Sequence, residues 1–184
     1  MSNSKIFKVK DKIVRFGKVY EIFKITEEEN PETGELEEVI HFRPGYETQA
    51  NQTLTCSIAV SNLDLTNIRK PMSEKEVDEL LKYLGSEIEM KGRFNTRSAK
   101  ETIKSNEPKK IALILKKLAI VKKDPDTNFT YTKKRLFRRA LSRLQEEVAL
   151  VKNLQLEEAQ ELILQLLQQQ ADKSFTLDID EEDD

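Results

Sequence analysis

TCSIAVSNLDLTNIRKPMSEKEVDELLKYLG, residues 55–85, contains the point at which this chain changes from strand to helix. Before it, Leu54–Val60 has the β-branched and small apolar residues of a strand. At Pro71 the apolar period changes from two to about three and a half. Ser73 and Glu76 then make a capping box, in which each side chain satisfies the other residue's free backbone NH. Val77, Leu80, Leu81 and Leu84 form one apolar stripe, and Gly85 ends the helix. The switch predicts an α+β chain whose strands come first and whose helices follow.

Working upstream, Ile6–Val9, Lys12–Val14, Lys18–Ile25 and Glu38–Phe42 are further short strands, separated by turn signals. Asn30-Pro31-Glu32-Thr33-Gly34 combines a fixed proline angle with a glycine able to take a positive one, so it reads as a hairpin loop. Arg43-Pro44-Gly45 supplies a second break. Short strands this close together leave no room for crossover helices and predict a small antiparallel barrel of SH3 or Tudor type over residues 1–70. His41 reads as a structural or surface strand residue, and Cys56 as a small apolar one.

Downstream, residues 71–171 read as an all-helical domain. Ser98 and Glu101 suggest a helix start leading to Ile103. Asn106 is placed to cap a third helix, with Pro108 tolerated in its first turn. That helix sets Ile111, Ile114, Leu115 and Leu118 on one side and Lys109, Lys110, Lys116 and Lys117 on others, until Asp124-Pro125-Asp126 stops it. Thr130 opens the longest helix. Phe137, Leu141, Leu144, Val148 and Val151 are predicted to face inward, with Lys134, Arg135, Arg138, Arg139 and Arg143 largely opposite. A last helix from Glu157 to about Gln170 buries Ala159, Leu162, Ile163, Leu166 and Leu167. Residues 172–184 are acidic and poor in core residues, and read as a disordered tail. Asp178 and Asp180 resemble a calcium loop superficially, but without its turn glycine or downstream ligands no metal is expected.

Charge is distributed unevenly along the chain. The 184 residues sum to −2, yet between Lys91 and Arg143 there are 17 Lys or Arg and only 4 acids. From Leu144 onward 2 basic residues face 12 acidic ones. A concentrated basic stretch among helix-forming residues is the electrostatic footprint of a polyanion binder. The competing reading is a solvated helix face, but such faces usually interleave Glu with Lys, and this one barely does.

Other classes find little support. A single histidine, a single cysteine and 5 scattered glycines provide no Ser/His/Asp or Cys/His set, no phosphate-cradling loop and no zinc cluster. An enzyme is not expected, nor is a cofactor. One cysteine also rules out an internal disulfide and suits a reducing cytoplasm. No apolar run approaches the roughly 20 residues of a membrane helix. MSNSKIFKVK has no hydrophobic signal region, so cytoplasmic residence without membrane association is expected.

Several segments together resemble the CarD/CdnL family of transcription regulators, whose N-terminal module is shared with the transcription-repair coupling factor. KIFKVKDKIV at Lys5–Val14, followed by Gly17, resembles the family's opening strand pair. LTCSIAVSNLDLTNIRKPMSEKEVDELLKYL at Leu54–Leu84 resembles its last barrel strands, its Asn-and-Arg linker and its first helix. KSNEPKKIALILKKL at Lys104–Leu118 and FTYTKKRLFRRALSRLQEEVAL at Phe129–Leu150 resemble later helices. The elements fall in the family's order over residues 5–168.

The resemblance implies a bacterial protein whose Tudor-like barrel binds the RNA polymerase β subunit. It further implies that the helical domain lies on promoter DNA at the upstream edge of the melted bubble and stabilises the open complex. The polymerase-facing strand would correspond to about Thr53–Ile58, with Thr53, Thr55, Cys56, Ser57 and Ile58 as contact residues, and an exposed edge there could extend a sheet on the partner. Family members commonly carry an Arg where this chain has Ser57. Several insert a Trp into the minor groove; this chain has none, and Phe94, between Arg93 and Arg97, is the nearest aromatic candidate. The alternative for Phe94 is a plug between neighbouring helices. The loop before Gly17 is shorter than is usual in the family.

DNA contact is therefore assigned to Arg93, Arg97, Lys134, Arg135, Arg138 and Arg139 through phosphates and to Phe94 through an unstacked base step, without sequence preference, in a protein expected to be monomeric. No helix shows base-reading Asn, Gln and Arg spacing. Two other functions are compatible with the residues: a protein-interaction adaptor that does not bind DNA, and an RNA- or ribosome-binding module.

Overall fold

The structure, a computed structural model, describes residues 7–31, 33–88, 94–124 and 128–169. It begins with five antiparallel strands, β1 (Lys12–Arg15), β2 (Lys18–Glu29), β3 (Leu36–Pro44), β4 (Cys56–Ala59) and β5 (Ile68–Arg69). They curl into a half-barrel in the order β4-β3-β2-β1-β5. Five helices follow: α1 (Glu74–Gly85), α2 (Thr96–Lys104), α3 (Pro108–Lys123), α4 (Tyr131–Lys152) and α5 (Leu156–Gln169). The change from strand to helix falls where the sequence places it.

The hairpins follow from local chemistry. Arg15 pairs with Lys18, leaving Phe16-Gly17 as a two-residue turn with φ of 51° and 73°. Two positive angles are the signature of the turn whose twist matches the flanking strands. The β2–β3 loop closes with Asn30 NH on Glu35 O at 2.8 Å and Gly34 NH on Asn30 O at 2.8 Å, Gly34 having a φ of 70°. Between Ile22 and Lys24 the β2–β3 register shifts, so Phe23 is an extra, bulged residue. Ile13, Ile22, Ile40, Phe42 and Leu63 form the small core inside this sheet.

Three sequence expectations for the sheet need correction. Phe7–Val9 is not a strand; Lys8 NH donates to Asp11 Oδ2 at 2.8 Å and Asp11 NH to Lys8 O at 3.0 Å, a tight turn that bends the chain toward β2. Ile6 itself lies outside the described residues. The fifth strand is instead β5, two residues that pair with Val14 and Arg15 and that had read as linker. Strand β4 stops at Ala59, because Val60–Leu65 turns into a 3-10 helix that delivers Leu63 to the core.

The helices pack around a second, larger core that includes Val77, Leu80, Leu84, Leu115, Leu118, Leu144, Val148 and Ile163. The capping box forms as expected: Glu76 NH reaches Ser73 Oγ at 3.3 Å and Ser73 NH reaches Glu76 Oε2 at 2.8 Å. Gly85 does close α1, but its role is steric. A Cβ there would lie 3.3 Å from Leu166 Cδ2 of α5, so glycine lets the two helices approach. At the other end of α4, Asn153 takes a φ of 53° and Leu154 NH returns to Ala149 O at 2.9 Å, the left-handed C-terminal closure.

Asn106 does not cap α3. Glu107 holds the cap position, and the cap of α2 is Asn95, whose Oδ1 accepts from Ser98 NH at 3.0 Å. Asn106 is buried with a φ of 59°, facing the sheet. Lys116 is fully buried instead of solvated. It donates to Tyr83 O at 2.5 Å, Ser86 O at 2.6 Å and Ser86 Oγ at 3.0 Å, and sits 4.2 Å above the Tyr83 ring. It thereby satisfies the carbonyls at the negative end of α1. The turn at residues 125–127 and the acidic segment 172–184 lie outside the described residues.

Candidate nucleic-acid and partner interfaces

Helix α4 carries the candidate nucleic-acid surface on one half and joins the sheet through the other. In the first half, Leu136, Phe137, Ala140 and Leu141 are buried, which leaves Lys134, Arg135, Arg138 and Arg139 exposed. Among the described residues, Lys134, Arg135 and Arg139 have no acidic partner within salt-bridge distance. Several basic residues elsewhere do: Lys104 pairs with Glu101 at 3.2 Å, Lys109 with Glu79 at 3.7 Å and Lys110 with Glu107 at 2.7 Å. Neutralised positions of that kind add little field. The uncompensated positive charge therefore concentrates at the start of α4, with exposed Arg97 on α2, which packs against it.

The second half of α4 carries buried acids. Glu147 is fully buried and takes the Arg69 guanidinium in a two-point pair, both contacts at 2.6 Å, while also accepting from Met72 NH at 2.6 Å. Glu146 accepts from Val19 NH at 2.9 Å and pairs with Lys18 Nζ at 2.5 Å. The Asn106 amide completes this seam. Its Oδ1 accepts from Gly17 NH at 2.7 Å and its Nδ2 donates to Asn67 O at 2.6 Å. Charged groups this far from water persist only when paired and fully hydrogen-bonded, and these are.

Arg143 departs from its expected place opposite the core. It is half-buried and donates to Ile103 O. Burial, reinforced by neighbouring Arg139, pulls its guanidinium below the usual arginine value. Its Cβ lies where a Cβ on Gly17 would fall, 2.5 Å away, so the β1–β2 turn needs glycine for space as well as for φ. Burial likewise holds the Lys116 ammonium below the usual lysine value. Neither residue belongs to the solvent-facing basic surface.

The other assigned DNA residues divide. Phe94 is half-buried against the helical core, the contact expected of a plug. Arg93 lies outside the described residues. Of the assigned partner residues, Thr53 and Thr55 are exposed and precede β4. Within β4, Ser57 is exposed, whereas Cys56 and Ile58 pack against the sheet core. Strand β4 pairs with β3 on one side and ends the sheet on the other. It lies two strands beyond β2, which contacts α4, so the β4 edge and the basic half of α4 are separate surfaces.

Sequence reasoning missed the seam residues Glu146 and Glu147 and misplaced Asn106. The two glutamates had a legible signal, since they sit within the apolar run Leu144–Val151, where a solvated acid is out of place. Asn106 offered no such signal, because a residue before a proline-led helix reads as a cap.

The chain is a curled antiparallel half-barrel joined to a helical array with an exposed basic row on α4; no helix among the described residues is long and apolar enough to cross a membrane. Comparison with protein families matches residues 71–164 to the family described as CarD, C-terminal domain, and the chain belongs to that family. It is a family of transcription factors whose members interact with RNA polymerase and are not enzymes. No curated protein matches the chain.

Proposed function

We propose that this chain is a bacterial transcription regulator that bridges the RNA polymerase β subunit and promoter DNA and stabilises the open complex. The half-barrel of residues 1–70, read as a Tudor-like module, is the polymerase-binding domain, and residues 71–171 are the DNA-binding domain. The observation that supports this most is the division of α4: one half directs the charges of Lys134, Arg135 and Arg139 to solvent while the other fastens the helix to the sheet. A rigid connection of that kind suits a protein whose two ends must engage two partners at once.

DNA contact runs through Lys134, Arg135, Arg138, Arg139 and Arg97. Phosphate neutralisation by such residues positions the protein without reading sequence, so promoter choice comes from the polymerase. Partner contact runs through the β4 edge, where backbone groups from Cys56 to Ala59 add a strand to the β subunit, and Thr53, Thr55 and Ser57 provide the side chains that face outward. Ser57 cannot supply the two-point contact an arginine makes, and the backbone carries correspondingly more of the affinity.

The test is a pull-down of RNA polymerase β with the full chain, paired with duplex binding across a salt series. Retention of β together with salt-sensitive duplex binding is the expected result. Retention of β without duplex binding supports the adaptor reading, and ribosomes in place of polymerase support the RNA-binding one.

A further inference from the structure

Tyr131, the first residue of α4, is 74% exposed, while Tyr20, Tyr46 and Tyr83 are each partly buried against the rest of the protein. Lys134, Arg135 and Arg138 follow it by three, four and seven positions, which stacks all four residues on one helix face. Its hydroxyl has no hydrogen-bond partner among the described residues. An aromatic ring exposed at the head of a basic row has no structural task there, since the core lies on the opposite face, at Leu136, Phe137 and Ala140.

From this juxtaposition we infer that Tyr131 is a stacking platform for a base of unpaired DNA, with Lys134, Arg135 and Arg138 holding the flanking phosphates. The inference rests on the DNA-binding reading above and names the aromatic that acts within it. Bases stack on aromatic rings regardless of identity, which suits a surface without base-reading residues. The row from Tyr131 to Arg138 is about 10 Å long at the helical rise. That spans roughly three nucleotides at the spacing of a stacked strand. Phe94, by contrast, has its ring committed to the helical core.

The experiment compares binding of a short oligo-dT strand and of a blunt duplex, using the full chain, Tyr131→Ala, Tyr131→Phe and the fourfold variant K134Q/R135Q/R138Q/R139Q. Tyr131→Ala is expected to lose roughly five- to a hundredfold in affinity for oligo-dT, the range for one stacked base, while duplex affinity stays within about twofold. Tyr131→Phe retains both. The chain has no tryptophan, so tyrosine emission is directly readable. Oligo-dT should quench part of it in the wild type and not in Tyr131→Phe. A wild type that binds duplex but not oligo-dT, or a Tyr131→Ala protein that binds oligo-dT normally, overturns the stacking role and leaves the DNA-binding reading standing. A wild type that binds neither probe overturns both. The fourfold variant should weaken on both probes alike; if it does so while Tyr131→Ala is normal, phosphate contact alone accounts for binding.

Discussion

Along the first half of α4, Lys134, Arg135, Arg138 and Arg139 are exposed; along the second, Glu146 and Glu147 are buried, while Arg143 is half-buried and Lys152 pairs with Asp78 of α1. One helix thus presents a cationic surface at one end and fastens itself to the half-barrel at the other. The difference lies in what stands opposite each charge. Glu147 meets Arg69 and the Met72 NH, Glu146 meets Lys18 and the Val19 NH, and among the described residues Lys134, Arg135 and Arg139 have no acidic partner. A net charge summed over a stretch therefore says little about function until each group has been placed. Of the basic residues from Lys91 to Arg143, Lys116 and Arg143 are withdrawn into internal contacts.

The comparison predicts that the two halves respond oppositely to substitution. The largest effect is expected at the buried end. Glu147→Ala strands the Arg69 guanidinium and the Met72 NH, and removing one partner of a buried ion pair costs about 3–5 kcal/mol. Urea denaturation should show that loss in the transition midpoint; a loss below about 1 kcal/mol would mean that the pair does not hold helix and sheet together. Asn106→Ala is next, at about 1–3 kcal/mol for the buried Gly17 NH left without its partner.

Phe94→Ala should cost about 1–3 kcal/mol, less than the roughly 3–5 of a fully buried ring, because Phe94 is only half-buried. A melting temperature unchanged by this substitution, combined with a shorter open-complex lifetime, would make Phe94 the wedge and revise its place as a plug. The smallest stability effect belongs to the exposed end. Neutralising Lys134, Arg135, Arg138 and Arg139 singly should each stay within about 0.5 kcal/mol.

Much of this was legible in the sequence. The switch at Pro71, the Ser73–Glu76 capping box, the Asn30–Gly34 hairpin and the inward faces of α3, α4 and α5 follow from local periodicity and turn chemistry, and the structure has them, with Val151, Leu162 and Leu166 half-buried at their margins. What escaped depends on contacts remote in sequence. Ile68-Arg69 becomes a strand only because β1 lies beside it, and Asn106 leaves its cap position because Gly17 and Asn67 approach from the sheet. Lys116 looked like one more surface lysine until the end of α1 closed over it. Of the candidate site, the basic row on α4 was legible, whereas the commitment of Cys56 and Ile58 to the sheet core was not drawn from their alternation with Ser57.

The division of α4 is tested most directly by the salt dependence of duplex binding in the wild type and in K134Q/R135Q/R138Q/R139Q, with the melting temperature of each protein recorded alongside. Four phosphate contacts should contribute roughly four units to the slope of log affinity against log salt. The variant should lose most of that slope and melt with the wild type. A variant that keeps the wild-type slope and affinity at low salt would contradict it.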